Sequence, residues 1–306
     1  MRYLKQHLVR TLMLIALPAV WTACGGLQQQ TVPPQSIPLQ DAAKSRGDLL
    51  YVSDIFSANV YVLSYPAGRL VQTLTGFSSP NGLCVDRSGD VFITDQAGQI
   101  VEYAHGGTSP IKTLGDKQYP IACSVDPTTG NLAVADESKN VSVYPNASGG
   151  PTTYSIPFVP VFCAYDDSGD LFADSSGAPG VPIAELQKGG STFQIVHYNK
   201  PNRGEPAGLQ WDGYHLAVGT ASTYQRQCCG RIYRFTIRGL HGKPAGSMHL
   251  LGGLASFFID GSTAVVATGF KNIALYHYPE GDRPTRVIKE RFQSYSLVVS
   301  HAPSNR

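Results

Sequence analysis

The chain has 306 residues, 42% of them apolar and 15% charged, with 32 glycines and six cysteines. Setting an N-terminal address aside leaves roughly 260 residues, enough for one large core with many tight turns. Three of the 24 basic residues precede residue 25, so the remainder carries 21 basic against 22 acidic side chains. That near-neutral balance argues against a nucleic-acid binder, which shows a strong basic excess.

Residues 1–23 read as a bacterial secretory signal: Arg2, Lys5 and Arg10 form a basic start, and Thr11 to Trp21 is an apolar run too short to cross a bilayer as a mature helix. Thr22-Ala23-Cys24-Gly25 resembles a lipobox, with Trp21 where such boxes carry Leu. Cys24 is then the expected lipidation site, with simple secretion as the alternative. Residues 24–47 are polar and proline-containing, as in a flexible tether. The localisation that follows is exported, either anchored in the cell envelope (periplasm or cell surface) or secreted.

From Leu49 onward one unit recurs six times: a strand closing on Asp, a tight turn opening on Gly or Asp, and a second strand closing on Asp or Thr. The anchors Asp86, Asp126, Asp166, Asp212 and Asp260 are 40, 40, 46 and 48 residues apart, and Ser300 falls 40 beyond the last. Each unit holds four strand-length apolar runs; in the second they are Gly82 to Asp86, Asp90 to Asp95, Ile100 to Ala104 and Ile111 to Leu114. Most alternate with the period of two of half-buried strands, and the turns carry Ser-Gly-Asp, Thr-Gly-Asn or Asp-Gly. Periods of this length built from short strands mean β-propeller blades. The fold expected for residues 48–306 is therefore all-β, a six-bladed propeller of four-stranded blades. The chain opens at a second strand (Leu49 to Asp54) and ends on a first strand (Ser296 to Ser300), so the last strand should complete the first blade and close the ring.

The run Pro80-Asn-Gly82-Leu-Cys-Val-Asp86-Arg-Ser-Gly89-Asp-Val-Phe-Ile-Thr-Asp95, with Gly98-Gln-Ile-Val-Glu-Tyr103 after it, resembles the NHL repeat. The resemblance covers nearly the whole mature chain and loosens in the fifth and sixth units, where Thr220 and Thr268 replace the strand-ending Asp. It implies a six-bladed propeller, similar at fold level to senescence-marker and gluconolactonase-like proteins. It does not imply one activity, because a fold hosts many.

Cys123 and Cys163 stand three residues before their anchors and Cys84 stands two before, facing the other way. All three are expected as buried, inert thiols, although convergence of the strands toward the axis leaves a Cys84–Cys123 bridge open. Adjacent Cys228 and Cys229 sit in the longest loop, where a vicinal disulfide is the leading expectation in an oxidising compartment. Charge is uneven: residues 25–196 hold 8 basic and 16 acidic side chains, residues 197–306 hold 13 and 6. Repeated turn aspartates account for the acidic half but not for the basic one, which an anionic partner on blades four to six would explain.

A site should lie at the mouth of the central channel. Five and seven residues before the anchors, that mouth is mostly apolar or neutral, with Asn81 and Glu205 the only metal-ligand types at those positions. In gluconolactonase-like proteins a divalent metal is held there on Glu, Asn and Asp. A calcium or zinc site needs several converging donors, and no metal or other cofactor is assigned. No nucleophile elbow, phosphate loop or paired-histidine motif is present, so no catalytic residue is assigned. Asp54, Asp95, Asp136 and Asp174, in register at the second-strand ends, read as caps of the following turn. The favoured function is a monomeric, non-catalytic module binding a protein or polymer, touching the membrane only through its lipid. Asn81, Tyr119, Glu205 and Tyr295 at the mouth and Tyr224, Arg226 and Arg231 by the blade-five loop would make contact. The alternative is a metal-dependent lactonase-like hydrolase or streptogramin-lyase-like enzyme.

Overall fold

The computed structural model describes residues 47–176, 180–199, 204–221 and 229–303. The signal, Cys24 and the tether to residue 46 lie outside the described residues, as do Tyr224, Arg226, Cys228 and the side chain of Cys229. Each repeat forms the antiparallel strands that its alternation dictates. The first unit gives β1 (Leu49–Asp54), β2 (Asn59–Ser64) and β3 (Leu70–Leu74). The second gives β4 (Pro80–Val85), β5 (Val91–Asp95), β6 (Gln99–Tyr103) and β7 (Pro110–Gly115). The third gives β8 (Pro120–Val125), β9 (Leu132–Asp136), β10 (Asn140–Tyr144) and β11 (Thr152–Ser155). The fourth gives β12 (Cys163–Tyr165), β13 (Leu171–Asp174), β14 (Ile183–Leu186) and β15 (Gln194–Ile195). A two-residue strand, β16 (His197–Tyr198), precedes the fifth unit: β17 (Glu205–Trp211), β18 (Leu216–Ala221), β19 (Cys229–Arg238) and β20 (His241–Leu251). The sixth gives β21 (Ser256–Asp260), β22 (Thr263–Ala267), β23 (Asn272–His277), the short β24 (Gly281–Asp282) and β25 (Arg286–Lys289). The last strand is β26 (Ser296–Ser300).

These strands make six sheets, a six-bladed β-propeller, and the first sheet has the order β26-β1-β2-β3. The C-terminal strand pairs with β1 from Leu49↔Ser300 to Ser53↔Ser296, so the ring closes as the strand phase requires. Closure leaves no innermost strand without a blade. The core lies between blades. Leu49 and Tyr51 of blade one, for example, pack with Leu83, Val91 and Ile93 of blade two. Fully burying each such side chain is worth about 1.5–3 kcal/mol.

The anchor aspartates fold their own turns. Asp86 Oδ1 accepts the N–H groups of Ser88 and Asp90, and Asp166 Oδ1 those of Ser168 and Asp170. An acidic side chain is needed there because it satisfies turn donors that the strands leave unpaired. This explains why the acidic half of the chain is acidic without invoking a ligand.

Cys84 and Cys123 are not free thiols: they form a disulfide with Cα atoms 5.6 Å apart. Their opposite facing is what allows it. Cys84 pairs with Phe92 and Cys123 with Val134, so one points from blade two toward blade three and the other points back. Sheets that face each other at about 10 Å on average come much closer here. A Cβ on Gly82 would stand only 2.6 Å from Ala122 Cα and Ile121 O. The absent side chain lets β4 approach β8 within bonding reach. Cys163 is buried, with a free thiol that burial pushes up to about 12, as expected of an inert packing residue.

Blade five departs from the others. Its outer strands are 10 and 11 residues long, and the outermost, β20, is flanked by β16 at one end and β24 at the other, both parallel to it.

Candidate functional site

The innermost strands of all six blades enclose a channel of about 260 Å³. Its wall is largely apolar, with Phe162, Tyr165, Trp211 and Phe257 its large side chains and the Cys84–Cys123 bridge set into it. Polar side chains are few: Ser124, Gln210, Ser256 and Ser296. Gln210 spans to blade six, its amide bonded to both the carbonyl and the N–H of Ile259. Such a wall can shelter an apolar group but carries little chemistry.

The mouth is built by the loops before the innermost strands and after the second strands. The second-strand aspartates, all buried, hold these loops in place. Asp54 accepts the N–H groups of Phe56, Ser57 and Gln293, and Asp95 accepts those of Ser78 and Ser79 together with the Gln99 amide. Burial would raise the Asp95 carboxyl, but these donors outweigh it and hold it below the usual range. Asp136 accepts from Ser138, and burial raises its carboxyl. The Asp174 side chain accepts the Phe162 N–H, and burial pushes its carboxyl up to about 8. Among the described residues, Oδ2 of Asp136 and of Asp174 has no hydrogen-bond partner. The four carboxylates are turn caps, tied to the backbone around them. Among the described residues, no group of three or more His, Cys, Asp or Glu side chains stands where it could share one metal ion.

Asn81 is the second residue of β4, the innermost strand of blade two; it is buried, and its backbone carbonyl accepts Ser53 Oγ at 2.6 Å. Its amide group has no hydrogen bond among the described residues. Tyr119 is 63% exposed and Tyr295 40% exposed. Burial of the Tyr295 hydroxyl raises its pKa and the nearby charge of Glu137 raises it further, which places the blade-one tyrosine near an acidic loop of blade three. Glu205 accepts Ser176 Oγ at 2.8 Å, bridging the mouths of blades four and five. Arg231 is not brought to this group. Its guanidinium donates to Ser247 Oγ on β20 and lies 5.8 Å from the Tyr233 ring, directed outward along blade five.

Two exposed mouth residues lie outside the positions counted back from the anchors: Phe56, 72% exposed and two residues past the end of β1, and Phe270, 42% exposed and three residues past the end of β22. Val159, seven residues before its anchor, is exposed as well. A large apolar side chain at a turn position two past Asp54 or Thr268 was the available signal. With Tyr119 and Tyr295, these residues give the mouth end a set of exposed aromatic and apolar side chains around a small apolar channel.

No family model matches the sequence, and no curated protein matches it. Among solved structures, a chain of a nidogen/laminin complex superposes with a TM-score of 0.68 at 14% identity, covering 84% of this chain and 99% of that one. A chain of Kuenenia stuttgartiensis hydrazine synthase superposes with a TM-score of 0.56 at 12% identity, covering 76% and 74%. At such identities the likeness is one of fold alone, that of a β-propeller.

Proposed function

We propose that the protein is an exported NHL-type propeller that binds a protein or polymer partner at its channel mouth without catalysing a reaction. The observation carrying this reading is the set of exposed side chains at one end of the ring: Phe56, Tyr119, Val159, Phe270 and Tyr295. Large, stiff side chains with one polar tip suit interface anchors because they bury much area at low entropic cost. The chain of similar fold in a nidogen/laminin complex supports an assembly role by analogy only. The Cys84–Cys123 disulfide supports export, since such bonds persist outside the reducing cytosol. The reading includes acylation of Cys24 and a tether holding a monomeric propeller clear of the membrane.

The test is site-directed photocrosslinking in the native envelope. A photoreactive residue at Tyr119 or Phe270 should yield one discrete adduct, lost in a Phe56→Ala/Tyr295→Ala background, while the same residue at Ile111 on a blade rim yields none. Equal adducts from rim and mouth would overturn the proposal. Mass spectrometry of the mature protein checks the anchor, because an unacylated Cys24 would refute it.

A further inference from the structure

The hairpin joining β19 and β20 runs past the rest of blade five. β18 ends its pairing at Leu216↔Phe235, while β19 continues three residues to Arg238. The overhang is widened by β16, which pairs parallel to the start of β20. The result is a small three-stranded platform on which register fixes every side chain. His197 lies beside His241, and His241 opposite Arg238. Two residues along, Lys243 lies opposite Thr236, and Asn199 continues past β16.

Because side chains alternate across a strand, these six residues share one face. They line a groove of about 730 Å³. The intervening row, Tyr198, Gly242 and Ile237, faces the other way and joins the core: the Tyr198 ring meets Phe235 edge-on at 4.8 Å, and Tyr198 Cβ sits 3.0 Å from where a Gly242 Cβ would be. One face of the platform is thus spent on packing, and the other collects donors. No carboxylate lines the groove. Among the described residues neither Arg238 nor Lys243 has an ion-pair partner. They occupy diagonal positions of an antiparallel pair, where like charges repel. A sheet needs no such arrangement for its own stability, and turn formation does not require it.

We infer that this groove on the rim of blade five is a binding site for a phosphate-bearing ligand, with Arg238 and Lys243 supplying charge and His197, His241, Asn199 and Thr236 supplying hydrogen bonds. Arg suits an oxyanion because its planar fork donates two parallel hydrogen bonds, and Lys adds a compact charge. Pyrophosphate, with two linked phosphate groups, can reach Arg238 and Lys243 together and is the simplest probe of the site. The site uses two of the 13 basic residues after position 197. It is separate from the channel mouth, so the two proposals stand or fall independently.

The test is calorimetric titration of the full chain with inorganic pyrophosphate. Saturable binding is expected, weakened about tenfold or more in R238Q/K243Q and unchanged in Tyr119→Ala. His241→Asn should weaken it less. All these side chains except part of Thr236 are exposed, so unchanged melting separates lost binding from lost folding. A parallel sedimentation with phosphatidylcholine vesicles, with and without phosphatidic acid, identifies the source of the phosphate. Capture by the acidic vesicles that R238Q/K243Q abolishes means a lipid headgroup, and pyrophosphate binding without capture means a soluble ligand. Absence of saturable binding at millimolar pyrophosphate, or equal affinity in the double variant, would overturn the assignment.

Discussion

His301 Nε2 lies 3.0 Å from Asp260 Oδ1, and its Nδ1 lies 3.2 Å from Asp48 Oδ2, so one imidazole joins the end of the chain to both blade six and blade one. Ser300 Oγ donates to Gly89 O of blade two at 2.6 Å, and Ala302 N–H to Asp48 Oδ1 at 2.9 Å. Gly89, at φ +89°, is needed there because a Cβ would stand 2.8 Å from His301 O. The closing strand is therefore tied to three blades in addition to its ladder with β1.

Deleting residues 295–306 should abolish the cooperative melt, because it removes the innermost strand of blade one and exposes the edge of β1. Far-ultraviolet circular dichroism on heating checks this; an unchanged transition would refute ring closure. His301→Ala should cost much less, about 0.5–1 kcal/mol, since the ring is half exposed. Burial would lower the imidazole pKa, but Asp48 and Asp260 more than offset it and the pKa is raised. The His301 contribution is then fully present below the ordinary histidine range and is lost as pH rises through the folded value. The gap between wild type and His301→Ala should narrow toward alkaline pH, and a gap that widens would contradict the bridge.

The disulfide closes a loop with a sequence separation of 39, which the chain-entropy relation values at about 4 kcal/mol. Cys84→Ser/Cys123→Ser should lower the melting temperature markedly, and reduction of the wild type should match it. Under native conditions an alkylating reagent should leave Cys163 untouched, because its thiol is buried and protonated. Rapid labelling of Cys163, or an unaltered melt in the double variant, would contradict this account.

Asp95 and Asp174 occupy the same register position but should respond oppositely to Asp→Asn. Asp95 depends on its charge: four donors (the N–H groups of Ser78, Ser79 and Ala97 and the Gln99 amide) converge on it, and at least one would meet an amide N–H instead of an oxygen in Asp95→Asn. A loss of roughly 2 kcal/mol is expected. Since the folded carboxyl is held low, the Asp95 contribution is present above the ordinary carboxylate range and disappears as pH falls through the folded value. Asp174 accepts the Phe162 N–H, its Oδ2 has no partner among the described residues, and burial pushes its pKa up to about 8. Wild type loses stability as pH climbs from the ordinary carboxylate range toward that value, and Asp174→Asn avoids the loss, so the variant should be the more stable protein at neutral pH. Denaturant melts of both variants decide the matter; changes of the same sign would show that the two carboxylates do not differ as described.

Architecture was legible because it is written in local signals repeated six times. The alternation around Val91 to Asp95, the turn at Ser88-Gly89 and the phase of Ser296 to Ser300 each need only neighbouring residues to interpret. The disulfide was harder, because it depends on how closely two blades approach, and that distance is set by Gly82 against Ala122. The mouth was half legible. Tyr119 and Tyr295 follow from counting back from the anchors, but Phe56 and Phe270 lie in loops that the count never reaches. For Arg231, position along β19 says which end of the blade the residue occupies, beside the blade-five loop, but not whether its side chain leans inward or outward. The phosphate groove was invisible for the opposite reason, since β16 joins β20 from a segment that belongs to neither blade's repeat.

Glu185 gives the most direct test of the interior electrostatics. It lies on β14 opposite Phe172, buried, and one of its oxygens has no hydrogen-bond partner. Glu102 occupies the matching place in blade two, opposite Phe92, but there Lys112 Nζ stands 2.9 Å from the carboxylate. Without such a cation, burial raises the Glu185 carboxyl to about 7, with the charges of Asp170 and Asp166 adding to the effect. A carboxyl with a raised folded pKa favours the folded state only while protonated. Wild-type stability should therefore decline as pH rises from the ordinary glutamate range to about 7 and level off above it. Glu185→Gln should remove that decline and stabilise the protein by roughly 1–2 kcal/mol at pH 8, with no gain at pH 4. Glu102→Gln should instead remove the ion pair with Lys112, leaving that ammonium only the Ala147 carbonyl, and destabilise at pH 8. Melting temperatures for the two variants across this range check the pair. A Glu185→Gln gain that persists undiminished at pH 4 would show that packing, not ionisation, was responsible.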